Sequence, residues 1–378
     1  GPDRPPIETP TCNRLSRFPV PDGSDAANPE SELVLIDQQN ETLWHNGGGI
    51  FFHPDDGFLY LSMGDEGYEK GNTQKIDRDH FSSVIRIDVD QRGGDVSHPP
   101  VKQPQTGRTA HYFIPNDNPW VGVPDALEEF YCLGLRSPHR MTYDPLGKRI
   151  WLGDVGESSR EEINLIEKGG NYQWRYKEGT IKGTLEKSDK IIGEERPPIY
   201  EYSHTEGNAV IGGYVYRGRE QAGELGGKYI FGDINGSIWA MTYEPGQPPA
   251  VALLCTLPSI PSVSYGTGLS SFGEDAEGEL YLCQMGQRGQ IFKLSRVGKS
   301  GVAPPKLLSQ AGVFRDTKTL EPAPGLIPYN VNVPLWSDGA AKKRWIAVPK
   351  EAAGGERIGF APTGEWIFPV GTVFVKHF

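Results

Sequence analysis

The sequence predicts an all-β fold of the β-propeller kind, and three observations carry that expectation. One theme recurs four times: a turn, an aromatic-led strand, then Gly-Asp or its equivalent. It runs through 54–65, 144–154, 226–233 and 275–284. The turns within these segments, at Pro54, Pro145, Gly227 and Ala276, lie 91, 82 and 49 residues apart. A period of about 40–50 residues, with insertions in some units, is that of propeller blades. Finally, 48 Gly and 32 Pro among 378 residues exceed average usage of roughly 7% and 5%, and they are spread beside Tyr, Trp and Phe. That pattern argues for short strands and tight turns rather than disorder. A β-sandwich would share the strands but gives no reason for the repeated Gly-Asp.

Taken in order, 13–37 reads as two strands around a polar loop. His45–Asn46–Gly47–Gly48–Gly49 leads into the first repeat, and Val84 to Asp88 closes it. The cationic run Leu135 to Arg140 precedes a strand at Met141–Thr142–Tyr143. Asp144–Pro145–Leu146–Gly147 is a turn, because Pro presets φ and Gly takes φ > 0 freely. Lys148 to Leu152 resumes the strand. Gly153 and Gly156 then break it where a backbone comes close to something. Glu161, Glu162 and Tyr172 follow with oxygens suited to a hard cation. Ser158 to Ile166 carries a weak helix signal, with Ser158 as N-cap and Glu161 in capping-box position. Ser237 to Ala240 and Ile291 to Leu294 close later repeats. Residues 301–305 read as a linker between a propeller at 1–300 and a small, mainly β extension at 301–378 that looks cut short.

Composition removes some partners. The net charge of −11 argues against nucleic acid, which needs clustered Lys and Arg. No apolar run approaches the ~20 residues of a membrane span. Cys12, Cys132, Cys255 and Cys283 lie in no C-x-x-C pattern, so zinc ribbons and c-type haem attachment are absent. Cys255 and Cys283, on neighbouring strand candidates, are either a pair or two free thiols.

Two motifs carry a resemblance. Leu133–Gly134–Leu135–Arg136–Ser137–Pro138 and the run from Glu162 to Trp174 (EINLIEKGGNYQW) resemble the soluble quinoprotein glucose dehydrogenase and sorbosone dehydrogenase family. The resemblance implies a six-bladed propeller whose first blade is incomplete here, since the family has more chain ahead of its histidine. It implies a dehydrogenase using pyrroloquinoline quinone (PQQ) and calcium on a sugar, in the periplasm or outside the cell, with a cytochrome c as a possible electron acceptor.

Carried over position by position, His45 is the general base and Asp65 lies near the quinone. Arg136 hydrogen-bonds the quinone oxygen, beside Ser137 and His139. The carbonyls of Gly156 and Glu157 bind calcium, and Glu162 with Tyr172 matches a second, structural calcium site. A histidine suits proton abstraction because its pKa lies near working pH. The sequence also departs from the family. Ser137 replaces an Asn and His139 a Gln. The cations that clamp the quinone carboxylates fall on Asn235, Gly268 and Ser270. Two other readings therefore stand beside the dehydrogenase. One is a non-catalytic propeller binding a protein or glycan, as in the hedgehog-interacting branch. The other is a calcium-dependent hydrolase of lactonase type, with Asp65, Asp154 and Asp233 around a metal.

Overall fold

The computed structural model describes residues 11–67, 71–258, 268–286, 289–296, 307–331, 342–348, 358–360, 366, 368–369 and 372–377. The chain forms two compact units, Gly1–Arg296 and Val297–Phe378.

In the first unit, alternating apolar residues build strands that bury both faces. Among the described residues, five larger sheets make up most of this unit. The first holds Thr11–Arg17, Leu33–Asn40 and Gly107–Thr109. The second runs Ile50–Phe52, Leu59–Met63, Ser83–Ile87, Phe130–Leu133, Gly170–Asn171 and Glu194–Glu195 in spatial order. The third runs Pro138–Asp144, Arg149–Asp154, Arg160–Ile166 and Tyr200–Ser203. The fourth is Val210–Val215, Tyr229–Asp233, Ser237–Thr242 and Ala250–Thr256, and the fifth Leu269–Glu274, Leu280–Gln284 and Ile291–Lys293.

The leading strands stand side by side. Pro138–Asp144 packs beside Ile50–Phe52 and Val210–Val215, and Val210–Val215 beside Leu269–Glu274. Each pair of neighbouring sheets shares its own core. Leu35, Ile36, Leu59 and Ile85 fill the first interface, Tyr60, Val84, Met141 and Leu152 the second. Trp151, Ile163, Tyr229 and Phe231 fill the third, Ile230, Ile238, Leu269 and Leu282 the fourth. At the third, Trp151 stacks on Tyr229 with ring centroids 4.3 Å apart. Sheets stacked face to face in sequence around their leading strands make a β-propeller; a sandwich would have one interface. Burying each such side chain is worth roughly 1.5–3 kcal/mol, so these interfaces hold the stacked sheets together.

The second unit pairs Phe314–Asp316 with Glu321–Pro322 and builds a three-stranded sheet from Ile327–Pro328, Lys343–Ala347 and Val373–His377. Phe314 meets Trp345 edge-on at 5.2 Å. The expected linker at 301–305 lies outside the described residues.

One expectation is corrected. Residues 160–166 are a strand, not a helical turn. The ladders to Arg149–Asp154 and Tyr200–Ser203 satisfy both backbone edges, and a helix here would forfeit both. The carboxylate of Glu161 caps no helix; it accepts from the amides of Val210 at 2.8 Å and Gly156 at 3.4 Å and meets His204 Nε2 at 2.8 Å. Cys255 and Cys283 are not bonded to each other; all four cysteines are free thiols.

Candidate functional site

The recurring Gly-Asp places Asp65, Asp154 and Asp233 at the same end of three successive sheets. Their carboxylates do different work. Asp154 accepts from the backbone amides of Arg136 (2.9 Å) and Ser137 (2.7 Å), which lead into its own sheet. It does not pair with the Arg136 guanidinium. Asp233 accepts from the amides of Asn208, Ala209 and Asn235 and from the Tyr202 hydroxyl at 2.8 Å. Both are struts that satisfy buried donors of an incoming loop.

Asp65 is different. In its sheet the incoming amides are satisfied by Ser62. The Gly48 amide donates to the Ser62 carbonyl, and the Gly49 amide donates to Ser62 Oγ, both at 2.9 Å. That frees Asp65 for side chains. Its Oδ1 lies 2.6 Å from His45 Nδ1 and accepts from the Gly67 amide at 2.8 Å; its Oδ2 accepts from Trp174 Nε1 at 2.7 Å. The Asp65 side chain is 5% exposed and that of His45 18%. Burial pushes the Asp65 carboxyl up, but the bonds from His45, Trp174 and Gly67 outweigh it and hold it below the ordinary aspartate value. An ionised Asp65 accepting from Nδ1–H leaves the lone pair on Nε2, and Nε2 has no hydrogen-bond partner among the described residues. His45 is held with φ of 51°, a conformation that costs a non-glycine residue of order 1 kcal/mol. Gly64 permits this approach: a Cβ there would collide with the His45 carbonyl.

Arg136 completes the cluster. Its carbonyl accepts from the Asp65 amide at 2.8 Å. Its Nη1 donates to the Val155 carbonyl at 2.9 Å, its guanidinium lies 5.5 Å from the Trp174 ring centroid, and its Nε is buried without an acceptor. Trp174 is the residue that the sequence reading did not assign, though it closes the run Glu162 to Trp174. That run has an internal reason. Asn171 forms a reciprocal amide pair with Gln74 (2.7 and 3.0 Å) and fixes the Gln173 amide, which sets Trp174 against Asp65.

The structure thus brings His45, Asp65 and Arg136 together, with Ser137 held beside them by Asp154. His139 is mostly buried, with Nε2 at 3.4 Å from the Ser270 carbonyl. Burial and the Arg140 charge hold it below the usual histidine value, so it supplies no cation at neutral pH. Asn235 serves its turn, accepting from the Ser237 amide, and Ser270 Oγ donates to the Cys283 carbonyl. Neither offers a positive charge.

The remaining residues engage elsewhere. The amides of Glu157, Ser158, Ser159 and Arg160 converge on Glu178 Oε1 at 2.8–3.1 Å, so the loop after Gly156 is organised around an anion. Glu162 sits opposite Asp154 in the ladder and accepts from Asn164 and Gly179. Burial, with the charges of Glu201 and Glu161, pushes its carboxyl up to about 7. Tyr172 gives its hydroxyl to the Leu165 carbonyl and accepts from the Glu167 amide. Glu162 and Tyr172 therefore serve different partners. Among the described residues no three His, Cys, Asp or Glu side chains form a metal-binding group. Glu162 and Tyr172 are spent on protein partners and do not jointly offer their oxygens to a hard cation.

PQQ is a planar tricycle with three carboxylates, which need charged partners in a desolvated pocket. Arg136, with its unspent buried Nε over an indole face, fits one anionic group of such a quinone. Asn235, Gly268 and Ser270 provide no charge for the others.

The family described as Glucose / Sorbosone dehydrogenase matches residues 12–292. The HIPL1 protein of Arabidopsis thaliana is 32% identical over 268 residues, 63% of this chain and 37% of that protein. The human Hedgehog-interacting protein is 27% identical over 272 residues, 66% of this chain and 33% of that protein. The chain thus spans about a third of the length of these relatives. Among solved structures, the soluble aldose sugar dehydrogenase of Escherichia coli in its apo-form covers 74% of this chain and 72% of its own, with a TM-score of 0.54 and 18% identity, a likeness of fold.

Proposed function

The chain belongs to the Glucose / Sorbosone dehydrogenase family, and we propose that it is the propeller of a sugar dehydrogenase with His45 as general base. The observation that carries this reading is the 2.6 Å contact of His45 Nδ1 with a buried, ionised Asp65 that Trp174 also holds. It fixes the tautomer and aims a basic Nε2 away from the carboxylate. His45 Nε2 takes the proton of a sugar hydroxyl as the adjacent carbon gives up hydride. A bound quinone such as PQQ supplies the two-electron acceptor for that hydride. Arg136 offers N–H donors where negative charge grows, with Ser137 held beside it; Trp174 backs the guanidinium with its ring. Location outside the cytoplasm and a cytochrome c as final acceptor belong to this reading.

A second reading has its own support. The uncharged Asn235, Gly268 and Ser270, and the likeness to the Hedgehog-interacting protein, suit a propeller that binds a protein or glycan without turnover. The hydrolase reading has less. Asp154 and Asp233 are spent on backbone amides and do not surround a common metal with Asp65.

PQQ titration of the folded protein, followed by dye reduction with aldoses, separates the first two readings. Binding with turnover that H45A abolishes supports the dehydrogenase. A cooperative melt with neither binding nor turnover leaves the non-catalytic propeller.

A further inference from the structure

Beyond the His45 site, the leading strands line a partly open cavity of about 120 Å³. Gly48, Arg140, Thr142, Tyr214 and Ser271 are among its lining residues. It touches four successive sheets and is bordered by no carboxylate.

Two donors there are unspent. Arg140 makes no side-chain hydrogen bond or ion pair with any described residue, and its Nε is buried without an acceptor. A guanidinium carries five N–H donors and stays charged, so leaving it unpaired and partly desolvated is costly. The Tyr214 hydroxyl also has no partner among the described residues. Both groups line the same cavity; burial and the Glu274 charge push the Tyr214 hydroxyl up while the Arg140 charge pulls it down. Of the acids nearby, Glu274 is not among the lining residues and Asp144 is committed. Asp144, at the end of the Arg140 strand, holds Arg217 by two bonds of 2.9 and 2.6 Å. The hydroxyls of Thr142 and Ser271 donate to the Gly213 and Phe272 carbonyls. The cavity has room for several waters or one small anion.

We propose that this axial cavity is an oxyanion site, in which Arg140 and Tyr214 bind a single carboxylate-sized group. A planar carboxylate meets a guanidinium through two parallel N–H···O bonds, and the tyrosine hydroxyl donates a third. The group is either a free small carboxylate or one carboxylate arm of a larger ligand seated toward His45. The site does not depend on the dehydrogenase reading, since it needs neither quinone nor turnover.

The test is calorimetry and thermal shift with acetate and oxalate, against chloride at matched ionic strength. It uses the full chain and its R140Q, R140K and Y214F variants. The wild type is expected to bind a carboxylate and melt higher. R140Q should lose at least about tenfold in affinity and Y214F about fivefold, with R140K intermediate. A PQQ titration with and without saturating acetate separates the two sources. Competition identifies an arm of the larger ligand, and independence identifies a free anion; either supports the site. A folded wild type that binds no carboxylate overturns the proposal. So does undiminished affinity in R140Q, or in Y214F and R140K together if R140Q fails to fold.

Discussion

The Gly64–Asp65 and Gly232–Asp233 ends of two sheets begin from the same sequence theme and finish with opposite purposes. Asp233 is fully buried and gives its carboxylate to three backbone amides and a tyrosine of its own neighbourhood. Asp65 is also buried, but one backbone amide suffices for it, and the rest of its capacity goes to His45 and Trp174. The difference traces to one residue. Ser62 satisfies the Gly49 amide with its hydroxyl, so the aspartate three positions on is released from propping the loop. A repeated structural strut becomes a positioning group for a histidine when a neighbour takes over its load.

The largest expected effect breaks that contrast at its functional end. If the dehydrogenase reading holds, H45A should reduce turnover by at least ~10²-fold and leave the melting temperature nearly unchanged, since loss of a general base costs that much. D65N should fall by a similar factor through the wrong tautomer. Turnover by H45A at the wild-type rate would remove His45 from the chemistry.

At the structural end the sign reverses. D233A should cost about 2–4 kcal/mol in urea unfolding, because several buried donors lose their acceptor. Any turnover should persist in the folded fraction. A D233A protein as stable as wild type would mean that water replaces the carboxylate at no cost.

W174F sharpens the middle ground. It removes one donor to Asp65 and keeps a ring under Arg136. About 1–3 kcal/mol of stability should go, with a roughly tenfold fall in turnover as the aspartate loosens. A change in stability alone would make Trp174 a packing residue.

The smallest effect is in the pH dependence of stability. Asp65 is held below the ordinary aspartate value of 3.8, so its contribution is present above that pH and is lost on acidification through its folded value. Asp154 is pushed the other way, by burial and by the charge of Glu162 opposite it. Its contribution is present below 3.8 and is lost as pH rises through its raised folded value. Melts from pH 3 to 8 should therefore show D65N losing the acid limb and D154N flattening the fall toward neutral pH. Parallel curves for both variants would show that the two carboxyls are not oppositely displaced.

Much of the architecture is carried by local pattern. The aromatic-led strands at Leu59–Met63, Arg149–Asp154, Tyr229–Asp233 and Leu280–Gln284 follow the four repeats, because alternation over a few residues decides which face is buried. Local pattern misleads at 160–166, where a capping-box spacing meets two ladders. Strand pairing there joins the segment to its hairpin partner Arg149–Asp154 and to the distant Tyr200–Ser203, and together these ladders outweigh a helix signal that rests on nearest neighbours.

His45, Asp65 and Arg136 were open to inspection as residue types in a resembling motif. Their grouping was not, because Asp65 finds His45 across 20 positions and Trp174 across 109. The repeat, the strands and the aspartates at three sheet ends are all legible in residue order. Folding settles which of those aspartates serves an imidazole and which serve backbone amides, and leaves Arg140 lining the axial cavity without a partner among the described residues. A hydrogen bond is made by atoms that folding brings within about 3 Å, and no spacing along the chain records which donors will arrive first.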